Sequence, residues 1–296
     1  LNCRNLCREY YDLMDSRNAY VNKLIDELRM VFPQYLGIFS KVTIDTSLIL
    51  LETYTSPSAF INADKQEIID LIRSTARFGL TYACNKYNAI IQAANDADEF
   101  GYILDSNIKR IRLYIGFIRK YDEEINSILE SMHELAAANE DTDFVKQIRL
   151  IETFKGAGFL SAMSLMGEIG DFSAFSKPKQ LFAYFGLDPA VKQSGKFEGT
   201  KIQMSKRGSA IARRVIHTLT LQSISASRTG ESKNPVLLDY YLKKCESKPK
   251  LVAMGAVSHK VCNMIFAILR DSKPFEIITP QEHIKKYNAA KCDVAA

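Results

Sequence analysis

A chain of 296 residues, 47% hydrophobic and 25% charged, is ordinary for a folded protein and can hold one to three domains. No apolar run reads as a membrane span: the best, Leu251 to Leu269, is broken by Ser258-His259-Lys260 and Asn263 and reads as a buried helix. The net charge of +5 is concentrated, because Lys192 to Arg214 holds seven Lys or Arg and one acid, Glu198, so the rest is nearly neutral.

The start at Leu1, with a polar helical opening, argues against a signal peptide and suggests a fragment. Leu6, Tyr10, Leu13, Tyr20, Leu24, Leu28 and Val31 form one helical stripe, broken by Arg17 and ended by Pro33. Cys3 and Cys7 lie one turn apart on that helix. With no second pair and no CxxC they read as plain helix cysteines, and all six cysteines suit a reducing cytoplasm. The four histidines do not cluster, and His133-Glu134 lacks the second His of HExxH. Asp64-Lys65-Gln66-Glu67 is a capping box that starts a helix near Lys65, and Gly79 separates it from the next.

Residues 102–138 carry the clearest period. Ile108, Ile111, Ile115, Ile118, Asp122, Ile125, Leu129, Met132 and Ala136 alternate as a and d positions over about four heptads. This predicts a dimerising coiled coil in which Asp122 sets the register, or else packing against the chain's own first helix. Residues 137–143 read as a linker between a helical region, 1–140, and a second domain, 144–271, followed by an irregular tail, 272–296. The second domain is expected to be helical over about 144–155, 159–169, 177–185, 206–228, 235–246 and 249–270, with a Gly- and Lys-rich connection from Gly186 to Met204. Too few residues alternate to build a sheet, so the fold class is mainly α.

Three motifs carry chemistry. Lys155-Gly156-Ala157-Gly158 joins two helices as a helix-hairpin-helix element would, exposing N–H groups to a phosphate; the alternative is a plain glycine turn. Gln193-Ser194-Gly195-Lys196 places a serine among Lys192, Lys196, Lys201, Lys206 and Arg207. Those cations suit a phosphodiester under attack, although a serine before glycine is most often a turn residue and no His or Asp partner adjoins it. Ser205-Lys206-Arg207-Gly208 and Arg213-Arg214 read as phosphate contacts. Glu168 and Asp171 suit capping or ion pairing better than metal binding.

Together these residues resemble the C-terminal domain of the bacterial "IS one-ten" family of insertion-sequence transposases over about Ile151 to Asp271. The shared pattern is the glycine hairpin, Ala162 to Phe175, Lys179 to Pro189, Gln193 to Lys196, Ser205 to Gly208 and Arg213-Arg214; Lys155 stands where the family has proline. Residues 1–140 resemble the family's helical middle more weakly. The resemblance implies a recombinase that cuts and rejoins DNA, with Ser194 forming a covalent phosphoserine link. It implies contacts to nucleic acid from Lys155, Gly156, Gly158, Lys192, Lys196, Lys201, Lys206, Arg207, Arg213 and Arg214. It further implies a guide (bridge) RNA, a homodimer or higher homo-oligomer, and a cytoplasmic, nucleoid-associated protein without membrane contact. Magnesium would be bound by four acids of an N-terminal RuvC-like domain that this chain lacks, so no cofactor is expected here and the chain alone is expected to be inactive. A non-catalytic dimeric nucleic-acid-binding protein is the alternative. A helix-hairpin-helix glycosylase fits less well, because it leaves the Gln-Ser-Gly loop without a role.

Overall fold

The computed structural model describes residues 2–76, 78–100, 104–190, 193–194, 197–198, 204–226, 230–285 and 288. It is mainly α, as the periodicities predict. The helices are α1 (Asn2–Val31), α2 (Asp45–Thr53), α3 (Pro57–Ile61), α4 (Lys65–Ala76), α5 (Leu80–Phe100), α6 (Asp105–Ala137), α7 (Asp143–Glu152), α8 (Phe159–Ile169), α9 (Pro178–Tyr184), α10 (Ala210–Ile224), α11 (Pro235–Cys245) and α12 (Lys250–Asp271). Local chemistry sets their ends. Pro33 follows α1 and opens a 3-10 turn, Pro33–Gly37. Asp64 accepts from the N–H groups of Gln66 and Glu67 at the start of α4. Ser209 caps α10, which therefore begins four residues after the expected Lys206.

Backbone packing divides the chain into two compact units, Tyr10–Ile128 and Leu1–Glu9 with Leu129–Ala296. The division falls inside α6 and not at the linker-like stretch 137–143.

In the smaller unit, α1 and α6 lie antiparallel. Glu27 meets Asn107 and Arg110, Tyr20 meets Phe117 and Tyr121, and Arg17 meets Asp122. Ile111, Ile115 and Ile118 are fully buried in one cluster with Leu24, Leu28 and the residues of α2 to α5. Each such side chain is worth about 1.5–3 kcal/mol when removed from water. This corrects the dimer-seam reading of the heptads, since the isoleucine stripe is already buried within a single chain. Asp122 does not register two copies of α6. It accepts a two-point bond from Arg17, whose Nη2 lies 3.0 Å from Oδ2.

In the larger unit, α12 packs against α7, α9, α10 and α11. By length and composition α12 is long and apolar enough to cross a membrane, which corrects the reading that no such run exists. Here its apolar side forms the core: Ala253, Val257, Val261, Ile265, Phe266 and Leu269 are buried. Its buried Ser258 hydroxyl pairs with Thr220 of α10 at 3.0 Å, which satisfies both groups. The tail is not irregular throughout, because residues 280–285 are helical.

Candidate nucleic-acid interface

The glycine hairpin lies between α7 and α8. Thr142 caps α7, and the chain turns after Glu152 with Phe154 fully buried. The Phe275 N–H binds the Thr153 hydroxyl at 2.8 Å, and the Phe154 and Phe275 rings stand 4.8 Å apart, which pins the turn. Gly156 has φ +102°, a backbone conformation that favours glycine, and a Cβ there would also push aside the Gln222 side chain, whose Oε1 would lie 2.8 Å away. Gly158 differs: it precedes α8 without a side-chain cap, and a Cβ there would meet nothing within 4 Å. The first N–H groups of α8 therefore have no capping side chain, and Lys155 is exposed beside them.

The described residues of the serine segment, called the arm below, are two antiparallel backbone pairings on a tight root. After α9, Gly186 turns with φ +68° and its backbone touches that of Gly208. A Cβ on Gly186 would lie 2.4 Å from the Gly208 nitrogen, and one on Gly208 would lie 2.0 Å from the Tyr184 carbonyl oxygen. Around this pinch, the Lys206 N–H donates to the Gly186 carbonyl at 3.1 Å, and the Ser205 N–H donates to the Asp188 carbonyl at 2.8 Å. The Ser205 hydroxyl donates to the Asp188 carboxylate at 2.6 Å. Arg213 Nη1 reaches the Phe185 and Gly208 carbonyls at 3.0 and 2.7 Å.

Beyond this root, Pro189 pairs with Met204, and the two-residue strands β1 (Gln193–Ser194) and β2 (Phe197–Glu198) run antiparallel, with Ser194 opposite Phe197. Ser194 is thus the last paired residue before Gly195-Lys196. Five residue steps separate it from Pro189, a reach of about 17 Å at most for an extended strand.

Glu168 and Asp171 flank the end of α8. Asp171 caps the turn Phe172–Ala174 through the Ser173 N–H. Glu168, only 2% exposed, takes a two-point bond from Arg8 at 2.9 and 3.1 Å, while Arg4 donates to the Gly167 and Glu168 carbonyls. Burial pushes its carboxyl up, but Arg8, Ser209 and Arg4 outweigh burial and hold it below the usual carboxylate range. A depressed carboxylate adds stability above the unfolded value of about 4.3 and loses it as pH falls through the folded value. Glu168→Gln is therefore expected to lower the urea midpoint at neutral pH. Its deficit should shrink below about pH 4, and an equal deficit at both pH values would refute the pairing.

Of the residues predicted from sequence, the structure places Lys155, Gly156 and Gly158 in the hairpin and Lys206, Arg207 and Arg213 at the arm root, with Arg214 next on α10. Lys192, Lys196 and Lys201 lie outside the described residues, and only the backbone of Ser194 is described. Arg213 has work that its sequence context does not suggest: one nitrogen braces two carbonyls of the pinch. Asp188 is a site residue that sequence reasoning misses, because nothing local marks it. Its partner Ser205 is 17 residues away.

Residues 148–241, which contain the hairpin and the arm, match the family model described as "Transposase IS116/IS110/IS902 family". A transposase for insertion sequence element IS1111A from Coxiella burnetii is 33% identical over 115 residues, 38% of this chain and 29% of that protein. An uncharacterized 43.6 kDa protein of insertion element IS110 from Streptomyces coelicolor is 23% identical over 239 residues, 78% of this chain and 53% of that protein. The chain spans about half, or less, of the length of these curated relatives.

Proposed function

Because the chain carries the transposase domain of the IS116/IS110/IS902 family, we propose that it is the C-terminal part of a DNA recombinase whose nucleophile is Ser194. The observation that carries this reading is the position of Ser194 at the far paired end of an arm whose root is locked. In the step, the Ser194 Oγ–H bond gives up its proton, Oγ bonds to phosphorus, and the bond from phosphorus to one deoxyribose oxygen breaks, with that oxygen taking a proton. One phosphoester replaces another, so the step is reversible and the strand can be rejoined. Lys206 and Arg207 at the root and the lysines of the arm stabilise the charge on the attacked phosphate.

Among the described residues, no group of three or more His, Cys, Asp or Glu is arranged to hold a metal ion. The resemblance places magnesium in a separate RuvC-like domain, and no step here is routed through it. A guide RNA and a homo-oligomer belong to the same reading. With the isoleucine stripe of α6 buried, oligomers would form through another surface. The cytoplasm, at the nucleoid, is where such a protein meets its substrate.

The test uses the longer transposase that contains this chain. A labelled DNA target should yield a protein–DNA adduct that survives denaturation, and Ser194→Ala should abolish the adduct with DNA binding nearly intact. An adduct mapped to Ser205, whose hydroxyl already binds a carboxylate, would overturn the assignment. The 296-residue chain alone should bind duplex DNA without cutting it. Replacing Lys206, Arg207 and Arg214 by alanine should reduce the slope of log K against log salt by about 0.9 for each phosphate that is no longer neutralised.

A further inference from the structure

A second basic surface lies in the larger unit. It is assembled by three helices, α9, α11 and α12. Lys244 and Lys260 approach the same ring, that of Tyr240, with their Nζ atoms 5.4 and 5.6 Å from its centroid. On α12, next to Lys260, His259 stands edge-on to Phe182 at 4.6 Å. Burial, then Lys260 and Lys179, hold His259 below its ordinary value near 6.5, so both lysines act on it through space. Lys179 and Lys260 are exposed and Lys244 is half-buried.

None of Lys179, Lys244 and Lys260 forms an ion pair with a described acid. On α11, the Asp239 carboxylate is taken by Lys243 at 2.9 Å. The unit thus gathers three cations and a neutral histidine without counter-charge. Two of the cations rest on one aromatic face, which holds an ammonium without neutralising it. Close like charges destabilise a folded chain unless an anion bridges them, and three lysines from separate helices suit an extended anion better than a single small one.

We infer that Lys179, Lys244 and Lys260, with His259 among them, form a second binding face for the phosphodiester backbone of a nucleic acid. The inference rests on the reading of the chain as a nucleic-acid recombinase, and it adds a place where a strand is held without chemistry. Lysine is a point charge with three rotatable donors, so the face grips backbone and does not read bases. The half-buried ring of Tyr240 backs the two lysines and that of Phe182 backs His259, so neither is free to stack on bases. DNA duplex and folded RNA offer the same phosphodiester, and the experiment separates them.

The 296-residue chain is titrated with a labelled duplex and, separately, a labelled RNA hairpin, between about 50 and 200 mM salt. The triple change Lys179→Gln, Lys244→Gln and Lys260→Gln should weaken binding at least about tenfold and lower the duplex salt slope by about 2 to 3. The matching triple change to arginine should keep both, which separates lost charge from lost folding. Lys243→Gln, whose lysine is already paired, should leave the slope unchanged. In NMR titrations the His259 pKa should rise when nucleic acid binds, because a phosphate then faces it. A loss confined to duplex or confined to RNA names the strand and supports the face. A wild-type slope in the triple glutamine variant, or a His259 resonance unmoved by nucleic acid, overturns it while leaving Ser194 adduct formation untouched. If the wild-type chain binds neither nucleic acid, the face is overturned together with the recombinase reading.

Discussion

Gly208→Ala is expected to unfold the larger unit at a urea concentration far below that of the wild type, a loss of about 3 kcal/mol or more. The methyl group would stand 2.0 Å from the Tyr184 carbonyl oxygen and 2.5 Å from the Phe185 carbonyl carbon. Both are backbone atoms that end α9, so no rotamer change relieves the clash. The pinch must open, and with it go the Lys206 to Gly186 bond, the Ser205 to Asp188 bonds and the seat of Arg213. Gly255→Ala is the control of opposite sign. It lies within α12 with nothing within 4 Å of an added Cβ, and alanine there should stabilise by about 0.5–1 kcal/mol. If the two variants melt alike, the close approach of Gly186 and Gly208 is not a feature of the folded protein.

Ile115→Asp should abolish cooperative folding of the smaller unit, and Ile118→Asp should do the same. Both side chains are fully buried, and an unpaired carboxylate in their place costs several kcal/mol on top of the lost apolar burial, about 4 kcal/mol or more in total. A seam between two copies would behave differently, since breaking it would release folded monomers. Circular dichroism with sedimentation separates these outcomes. Leu113→Asp, on the 53% exposed side of α6, should change stability by no more than about 0.5 kcal/mol. Folded monomers from Ile115→Asp would restore the coiled-coil reading.

The period of α6 is legible in the sequence because every a and d residue is local to one helix, but its partner is not. Arg17 and Asp122 each look like a flaw in an apolar stripe, and only folding shows that the two flaws face each other across 105 residues. The hairpin is legible for a similar reason, since two glycines with fixed spacing fall between two periodic runs. Glu168 and Asp171 take the ion-pairing and capping roles that their place at a helix end suggests. The arm is visible only as a Gly- and Lys-rich connection, because strands of two residues are too short to show an alternating pattern. Arg213 and Arg214 are indistinguishable in sequence, yet α10 turns Arg213 toward the Phe185 and Gly208 carbonyls. Lys179, Lys244 and Lys260 lie on three helices, and no linear motif brings them together.

The attachment of the first turn of α1 to α8 has a kinetic consequence. Cys3, Arg4 and Arg8 find their partners Met163, Gly167 and Glu168 at sequence separations of 160 to 164 residues. During synthesis Cys3, Arg4 and Arg8 must wait until α8 has been made before they can dock. Closing so long a loop costs entropy before any new interaction offsets it, so this docking belongs to the slow end of folding. Until it happens, the Glu168 carboxylate lacks its arginine and the small-residue face of α8 at Gly167 is uncovered, leaving a late and exposed intermediate in which α8 exists without its contacts to α1.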